Sequence, residues 1–309
     1  MTIRVAKPGL FTTVQDRGRF GYAHLGISPA GAADALSLRI ANLLVGNDEY
    51  APALEMTLLG TTLEFEESAI VAISGANFDC RVGAKWVPGH TAVQMSAGEI
   101  LQCGSTTNGA RSYLAVKGGF DVPLVMGSAS TDVRGRFGGF EGRRLQRGDV
   151  LKVGKGGKPQ ALRLRTGVLE TVHPSGPVRV TKGAQHDWFS PETFAKLLSS
   201  PYQVSEQSDR AGLRLQGGAV SPSERSQLLT DGIPLGAIQV PQDGQPIILF
   251  VDQQTTGGYP KIANVIAADM HRIGQLRPRD QVRFAEVSMT EAVEALRQQE
   301  RWLKEAVVA

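Results

Sequence analysis

The chain of 309 residues is long enough for two domains, because single domains commonly contain about 100–200 residues. Its 33 basic and 30 acidic residues give a net charge of +3, which argues against a protein that binds nucleic acid or an acidic membrane surface. Two cysteines exclude a disulfide framework, and the apolar runs are too short for a signal peptide or a membrane span. We therefore expect a cytoplasmic protein.

The first half of the chain predicts one helix among short strands. The helix covers residues 34–45, where apolar residues recur at helical spacing and Gly46 follows. Short runs bounded by turn residues predict strands at 62–65, 70–74, 100–103, 113–116 and 150–153. Glycine supplies 36 residues, well above the average usage of about 7%, which indicates many tight turns between strands. Residues 154–159 (GKGGKP) have the composition of a linker.

The second half predicts strands at 178–181, 247–251 and 281–284. Ser190 and Pro191 indicate the start of a short helix, and a second helix is predicted over 261–276. Ser288 and Glu291 form a capping box that opens an amphipathic helix at the end of the chain. The apolar face of this last helix packs against either its own domain or a neighbouring protein in a complex.

These elements predict a mainly β protein with a few helices. Strands at this spacing favour a barrel or a sandwich. We place an N-terminal β domain at residues 1–154, a C-terminal β domain at 160–287 and the final helix at 288–309. Acidic turns of similar sequence precede strands in both halves, which is consistent with two related domains, although such turns also look alike in unrelated proteins.

The densest polar segment follows the strand predicted at 247–251. It reads DQQTTGGYPK over residues 252–261 and places amides, hydroxyls and one ammonium group next to two glycines. If a helix begins at Lys261, backbone amides add to these donors. We regard this segment as the strongest candidate for a site.

Three shorter segments are weaker candidates. Asp16 and Arg17 lie among glycines, where a guanidinium group suits a carboxylate or phosphate, but an Asp–Arg pair that holds a loop explains them equally well. Asp209 with Arg210, and Asp231 with its following glycine, either converge on the main segment or form Asx turns. The five histidines lack metal-site spacing, and the sequence contains no Gly-x-Ser-x-Gly elbow.

These segments also carry a resemblance to a known family. The shared motifs occur in one order over about residues 5–290: PGL at 8–10, TTVQD at 12–16, YLAV at 113–116, GS at 127–128, SDR at 208–210, DGI at 231–233, IQVP at 238–241 and QTTGGYPK at 254–261. The chain resembles the allophanate-hydrolase subunit 2 family, also described as biotin-dependent carboxyltransferase subdomains A and B, which includes the C subunit of 5-oxoprolinase.

The resemblance implies two linked cyclophilin-like β-barrel domains. It also implies a protein that works with relatives of the B and A subunits of 5-oxoprolinase to convert 5-oxo-L-proline to L-glutamate with ATP. Two alternatives remain open: a carboxyltransferase component that acts on urea or a similar amide with carboxybiotin, and a regulatory protein that antagonises a kinase-inhibitor partner. The absence of a Met-Lys-Met biotinylation pattern favours the oxoprolinase.

The oxoprolinase interpretation assigns roles to the candidate residues. A lactam is a poor electrophile, and phosphorylation of its oxygen would activate it, with ATP and Mg2+ shared between this chain and its partner. Lys261 would contact phosphate, Arg17 or Arg210 the substrate carboxylate, and Asp252, Asp209 or Asp231 a magnesium ion. We therefore predict catalytic residues Lys261, Asp252 and Asp209. The predicted binding residues are Asp16, Arg17, Arg210, Asp231, Gln254, Thr255, Thr256, Gly257, Gly258 and Tyr259.

Overall fold

The computed structural model describes residues 1–156, 163–164, 175–223 and 228–308. The chain divides into two compact units. Unit 1 contains Met1–Arg19, Ala30–His173 and Trp302–Ala309, and unit 2 contains Phe20–Pro29 and Pro174–Arg301. The predicted linker lies in unit 1 at 154–156, and its residues 157–159 lie outside the described residues. In the part of the chain that the structure describes, no helix is long and apolar enough to cross a membrane.

Unit 1 is built from two antiparallel sheets. Their strands are β1 (Thr2–Lys7), β2 (Phe11–Gln15), β3 (Ala53–Thr57), β4 (Thr62–Phe65), β5 (Ala69–Gly75), β6 (Phe78–Val82), β7 (Lys85–Trp86), β8 (Ala92–Met95), β9 (Ile100–Thr106), β10 (Arg111–Val116) and β11 (Val150–Lys152). One sheet has the order β11-β1-β4-β9-β6-β7 and the other β2-β3-β10-β5-β8. A short further pair joins β12 (Arg163–Leu164) to β23 (Val307–Val308).

The core of unit 1 lies between these two sheets. Alternating side chains of one sheet, such as Ile3 and Leu63, pack with Met56 and Leu114 of the other, and all four are fully buried. Along β6, Phe78 and Cys80 are buried whereas Asp79 and Arg81 are exposed, as the period of two along a strand requires.

Helix α1 (Ala35–Leu44) covers the opposite face of the second sheet and packs on Tyr113. The predicted helix at 34–45 is thereby confirmed. The Asp34 carboxylate caps it by accepting from the Ser37 amide at 2.8 Å, and Gly46 follows with a left-handed φ of 71°.

Unit 2 contains a curved antiparallel sheet with one parallel pair. Its strands are β13 (Val178–Lys182), β14 (Tyr202–Val204), β15 (Gly212–Gly217), β17 (Ala237–Gln239), β18 (Ile247–Leu249), β20 (Lys261–Val265), β21 (Gln281–Val282) and β22 (Phe284–Glu286), while β16 (Asp231–Gly232) and β19 (Thr256–Gly257) form a separate pair. The order β21-β14-β15-β18-β17-β20-β13-β22 begins and ends with strands that only one residue separates, so this sheet is a nearly closed barrel.

The helices of unit 2 are α2 (Pro191–Ser199), α3 (Met270–Gly274) and α4 (Met289–Ala306), whose last turns belong to unit 1. Ser190 caps α2 as predicted. The predicted capping box is also confirmed, since the Glu291 carboxylate accepts from the Ser288 amide at 2.7 Å and the Ser288 hydroxyl accepts from the Glu291 amide at 3.2 Å.

The helix predicted over 261–276 is wrong for most of its length. Residues Lys261–Val265 form β20, which pairs with β13 on one side and β17 on the other, and only Met270–Gly274 is α-helical. A central strand is buried on both faces, so its apolar residues do not alternate and can mimic the spacing of a helix. No helix N-terminus therefore stands at Lys261.

The mainly β class with a few helices is confirmed by these sheets. Most predicted strands are found within a residue or two of their expected ends. The run at 281–284 is divided between β21 and β22, with Arg283 between them.

Candidate active site

Lys261 is the centre of a polar cluster in unit 2. It is the first residue of β20, and its side chain is only 2% exposed. The ammonium group donates to Asp231 Oδ2 at 2.7 Å and to the carbonyl oxygen of Gly232 at 3.3 Å. An ammonium carries three N–H donors, and these are its two acceptors among the described residues, so one N–H is left for a ligand.

The backbone of Lys261 is fixed by a loop that precedes α2. Gln185 Oε1 accepts from the Lys261 amide, and the Gln185 amide donates to the Lys261 carbonyl oxygen, both at 3.1 Å. Gly183 lies so close that a Cβ at this position would stand 2.2 Å from the Lys261 carbonyl oxygen. These contacts hold the strand, and with it the lysine side chain, in one position.

Asp231 projects from the β16–β19 pair, where it lies opposite Gly257. Its side chain is 51% exposed, so the ion pair is buried on the lysine side and open to solvent on the aspartate side. The hydrogen bond from Lys261, the amide of Gly232 and the charge of Lys261 lower the pKa of Asp231 below its usual value. The Asp231 carboxylate is thus ionised at neutral pH.

The predicted segment 254–259 contains β19 and the residues on either side of it. Thr256 lies opposite Gly232 in the strand pair, and the Thr255 carbonyl oxygen accepts from the Ile233 amide at 3.0 Å. Gly258 is exposed, and Tyr259 is 45% exposed. A Cβ on Gly257 would lie 2.8 Å from the side chain of Ile233, so this glycine permits the close approach of the two strands.

Glutamine amides accompany the lysine. Gln239 lies directly opposite Lys261 on β17 and points to the same face of the barrel, where its amide donates to the Tyr259 carbonyl oxygen at 3.4 Å. The side-chain amide nitrogens of Gln239 and Gln254 stand 3.2 and 3.5 Å from the place that a Cβ of Gly257 would occupy. Gln253 is buried and donates to the Ile233 carbonyl oxygen at 2.9 Å.

Arg210 and Asp252 form a second group in unit 2. The guanidinium donates to both carboxylate oxygens, at 2.8 and 3.1 Å, and both side chains are at least nine-tenths buried. Asp209 accepts from the amides of Ala211 and Gly212 at 2.8 and 3.1 Å. The bonds of Asp209 favour its interpretation as the first residue of an Asx turn. The ion pair of Arg210 and Asp252 holds two loops together.

Asp16 and Arg17 lie in unit 1 and differ in environment. Asp16 Oδ1 accepts from the Gly18 amide and from the hydroxyls of Ser128 and Ser130, and its Oδ2 accepts from the Ala129 amide, all at 2.6–2.7 Å. This geometry favours the interpretation in which the aspartate holds a loop. The partner is the Ser-rich segment rather than Arg17, which is exposed and lies 5.9 Å from the ring centre of Tyr50.

In the described part of the chain, each of the three predicted magnesium ligands has a protein partner. Asp231 is paired with Lys261, Asp252 with Arg210, and Asp209 accepts from two backbone amides. Among the described residues, no group of three or more His, Cys, Asp or Glu side chains could hold a metal ion.

Three glutamines of this site were absent from the predicted residues. Gln239 and Gln253 belong to two segments that stand out in the sequence, IQVP and DQQTTGGYPK. Their position in these segments could have indicated that they belong to the site. Gln185 is 76 residues from Lys261 in the chain, and no local pattern marks it.

Comparison with known proteins identifies the family. Residues 25–286 match the family described as carboxyltransferase domain, subdomain A and B, and the chain belongs to this family, as its motifs predict. It is 42% identical to the C subunit of 5-oxoprolinase from Escherichia coli (strain K12), covering 98% of this chain and 97% of that protein. It is 38% identical to the C subunit of 5-oxoprolinase from Haemophilus influenzae, covering 94% and 93%.

The fold also matches a solved structure of K. lactis urea amidolyase. The TM-score is 0.91 at 32% identity over 98% of this chain, which spans 20% of the urea amidolyase chain. The chain therefore corresponds to about a fifth of that protein and to nearly all of the two bacterial relatives.

Proposed function

We propose that this chain is one component of an ATP-dependent 5-oxoprolinase, active in complex with relatives of the A and B subunits, and that the Lys261–Asp231 site binds the lactam. The observation that carries the proposal is the buried ammonium of Lys261, held by Asp231 with one N–H left for a ligand. The two bacterial relatives, which match over nearly their whole length and are named as the C subunit of 5-oxoprolinase, support it.

The chemistry of lactam opening gives this lysine its role. The phosphoryl group that moves to the lactam oxygen carries negative charge on its own oxygens, and a fixed cationic donor in a water-poor site stabilises that charge. The free N–H of Lys261 is such a donor. Asp231 orients the ammonium group, and the hydrogen bonds of Gln185 hold the strand in place.

The glutamines complete an environment suited to a cyclic amide. A carboxamide offers both a donor and an acceptor, as a lactam does. Gln239 stands beside Lys261 on the same barrel face, and Gln254 lies on the adjoining turn. We assign to them the orientation of the lactam ring relative to Lys261.

In this proposal, the partner proteins bind ATP and Mg2+. The sequence contains no Gly-x-x-x-x-Gly-Lys loop, and the three candidate aspartates are engaged with Lys261, Arg210 and backbone amides. We therefore place their binding outside the described residues of this chain. ATP supplies the phosphoryl group that activates the lactam oxygen.

The proposal is tested by ADP release from the complex of this chain with its two partner proteins. We expect release to depend on 5-oxo-L-proline, and Lys261→Met to lower kcat by about 100-fold or more, the usual cost of one donor to a developing oxyanion. Lys182→Met is the matched control, because Lys182 lies on the neighbouring strand and is 53% exposed. Unchanged turnover in Lys261→Met, with wild-type circular dichroism, contradicts the assignment.

A carboxyltransferase is the second candidate, and the structural match to urea amidolyase favours it. The same complex is assayed with urea and carboxybiotin. Carboxylation of urea without any response to 5-oxo-L-proline supports this alternative. A stable complex that responds to neither compound supports a regulatory protein instead.

A further inference from the structure

The two cysteines of the chain face each other inside unit 1. Cys80 lies on β6 and Cys103 on β9, and the two residues are paired directly across the sheet. Both are free thiols, with exposed fractions of only 2% and 4%. Neither residue belongs to the Lys261 site, which lies in unit 2.

The backbone hydrogen bonds identify the type of pair. The Cys80 carbonyl oxygen accepts from the Val87 amide at 2.8 Å, and the Cys103 amide donates to the Thr61 carbonyl oxygen at 2.9 Å. Both groups therefore point away from the partner cysteine, which defines a non-hydrogen-bonded antiparallel pair. The Cα atoms of such pairs are about 4.5 Å apart, within the range of about 4.4–6.8 Å that a disulfide spans.

The side chains of the two paired residues project to the same face of the sheet. A hydrogen bond with Cys80, together with complete burial, raises the pKa of the Cys103 thiol well above its usual value. The sulfurs therefore need no rearrangement of the strands in order to meet. Cys103 is mostly protonated at neutral pH, and a thiol attacks a disulfide only as its thiolate.

A cavity of about 600 Å³ lies beside one of the two cysteines. Cys80 lines this cavity together with Ser74 and His90, whose hydroxyl and Nδ1 are 3.0 Å apart, and with Trp86, which is 60% exposed on the edge strand β7. Cavities of this size hold small ligands. A low-molecular-weight disulfide that enters the cavity reaches the part of its wall that Cys80 forms.

We propose that Cys80 and Cys103 form a reversible disulfide, with Cys80 as the first thiol to react. The Cys80 thiolate attacks one sulfur of a glutathione-type disulfide, forms a mixed disulfide and releases one glutathione thiol. Cys103 then attacks the Cys80 sulfur, closes the bond between the strands and releases the second thiol. The external disulfide gains the two electrons that the cysteines lose, and the two cysteine protons pass to the released thiolates.

The modification would join β6 to β9 beside the cavity. It replaces two separate thiols with a covalent cross-link between these strands and alters the wall next to His90 and Trp86. Because Cys103 must lose its proton before the second step, ring closure accelerates as the pH rises.

To test this proposal, the full chain is incubated with oxidised glutathione at pH 8, and its free thiols are counted after denaturation. We expect the count to fall from two to zero, the mass to fall by about 2 Da and dithiothreitol to restore both. The Cys103→Ser variant should stop at the mixed disulfide on Cys80, and Cys80→Ser should react at least ten times more slowly than Cys103→Ser.

Two results overturn the proposal. One is a thiol count that stays at two in the native chain while the same chain, unfolded in urea, oxidises fully. The other is equal glutathione attachment in the two serine variants. If either variant fails to fold, a non-reducing peptide digest of the oxidised wild-type chain decides the question by the presence or absence of the cross-linked peptide pair.

Discussion

Replacement of Asp16 by asparagine separates a residue that holds a loop from one that binds a ligand. The Asp16 side chain is 6% exposed and accepts four hydrogen bonds, three at Oδ1 and one at Oδ2. Asparagine has almost the same shape, so the substitution changes hydrogen bonding and charge without opening a cavity. We expect unit 1 to lose stability.

The magnitude follows from the four donors. An asparagine oxygen in the Oδ1 position keeps three bonds but turns them from charged to neutral, at a loss of about 1 kcal/mol each. Its amide group then faces the Ala129 amide, a buried donor that loses its acceptor at a cost of about 1–3 kcal/mol. The easier burial of a neutral group offsets part of this, which leaves a decrease of about 3–4 kcal/mol in the free energy of unfolding.

The assay is urea unfolding followed by tryptophan fluorescence in a Trp188→Phe background, because Trp188 is in unit 2 whereas Trp86 and Trp302 are in unit 1. Asp121→Asn, an exposed change of the same charge in unit 1, is the control and should shift the free energy by less than about 0.5 kcal/mol. A shift as small as that of the control, together with reduced catalytic efficiency of the complex, would refute the loop-holding role and restore Asp16 as a ligand-binding residue.

Three further substitutions test other contacts. Tyr113→Phe removes a buried hydroxyl that donates to a glutamate at 2.7 Å and accepts from the amide of the α1 cap at 2.7 Å, and should cost about 1–3 kcal/mol in urea unfolding. Gly138→Ala places a Cβ 2.2 Å from a backbone oxygen at a φ of 69° and should destabilise unit 1 by several times the effect of Gly148→Ala, where φ is 93° and nothing lies within 4 Å. Burial opposes ionisation of Asp269, but the hydrogen bonds and charge of Arg179 outweigh this effect and lower the pKa of Asp269 below its usual value of 3.8. The contribution of Asp269 to the free energy of unfolding is therefore complete above pH 3.8 and is lost as the pH falls below that value. Acid unfolding of unit 2, followed through Trp188, should therefore become less steep in Asp269→Asn, and an unchanged acid transition would contradict this.

The sequence predicts those features whose signals are local. The end of α1 before Gly46, the capping box of α4 and most strands follow from residues within a few positions of one another. The helix predicted over 261–276 failed because the partners of β20 are distant in sequence, and a central strand carries no alternation that would reveal it.

The same distinction applies to the candidate site. Lys261 and Asp231 are visible as polar residues in glycine-rich segments, but their ion pair joins positions 30 residues apart. Asp16 has the same composition signal, and only its bonds to a segment more than 110 residues away assign it to a loop. The type of a residue thus indicates which interactions its side chain can make. The tertiary structure decides whether other parts of the protein take up those interactions or whether they remain available to a ligand.

The division of the chain has a consequence for its synthesis. Unit 1 has a second apolar cluster, in which Leu303 and Ala306, each about 1% exposed, pack with α1. A ribosome delivers the chain from its N-terminus, yet this unit lacks part of its core until residue 306 has emerged. The barrel of unit 2, whose strands end at Glu286, has all of its sheet by then. The barrel of unit 2 can thus fold first, and unit 1 is completed only when Leu303 and Ala306 have left the ribosome.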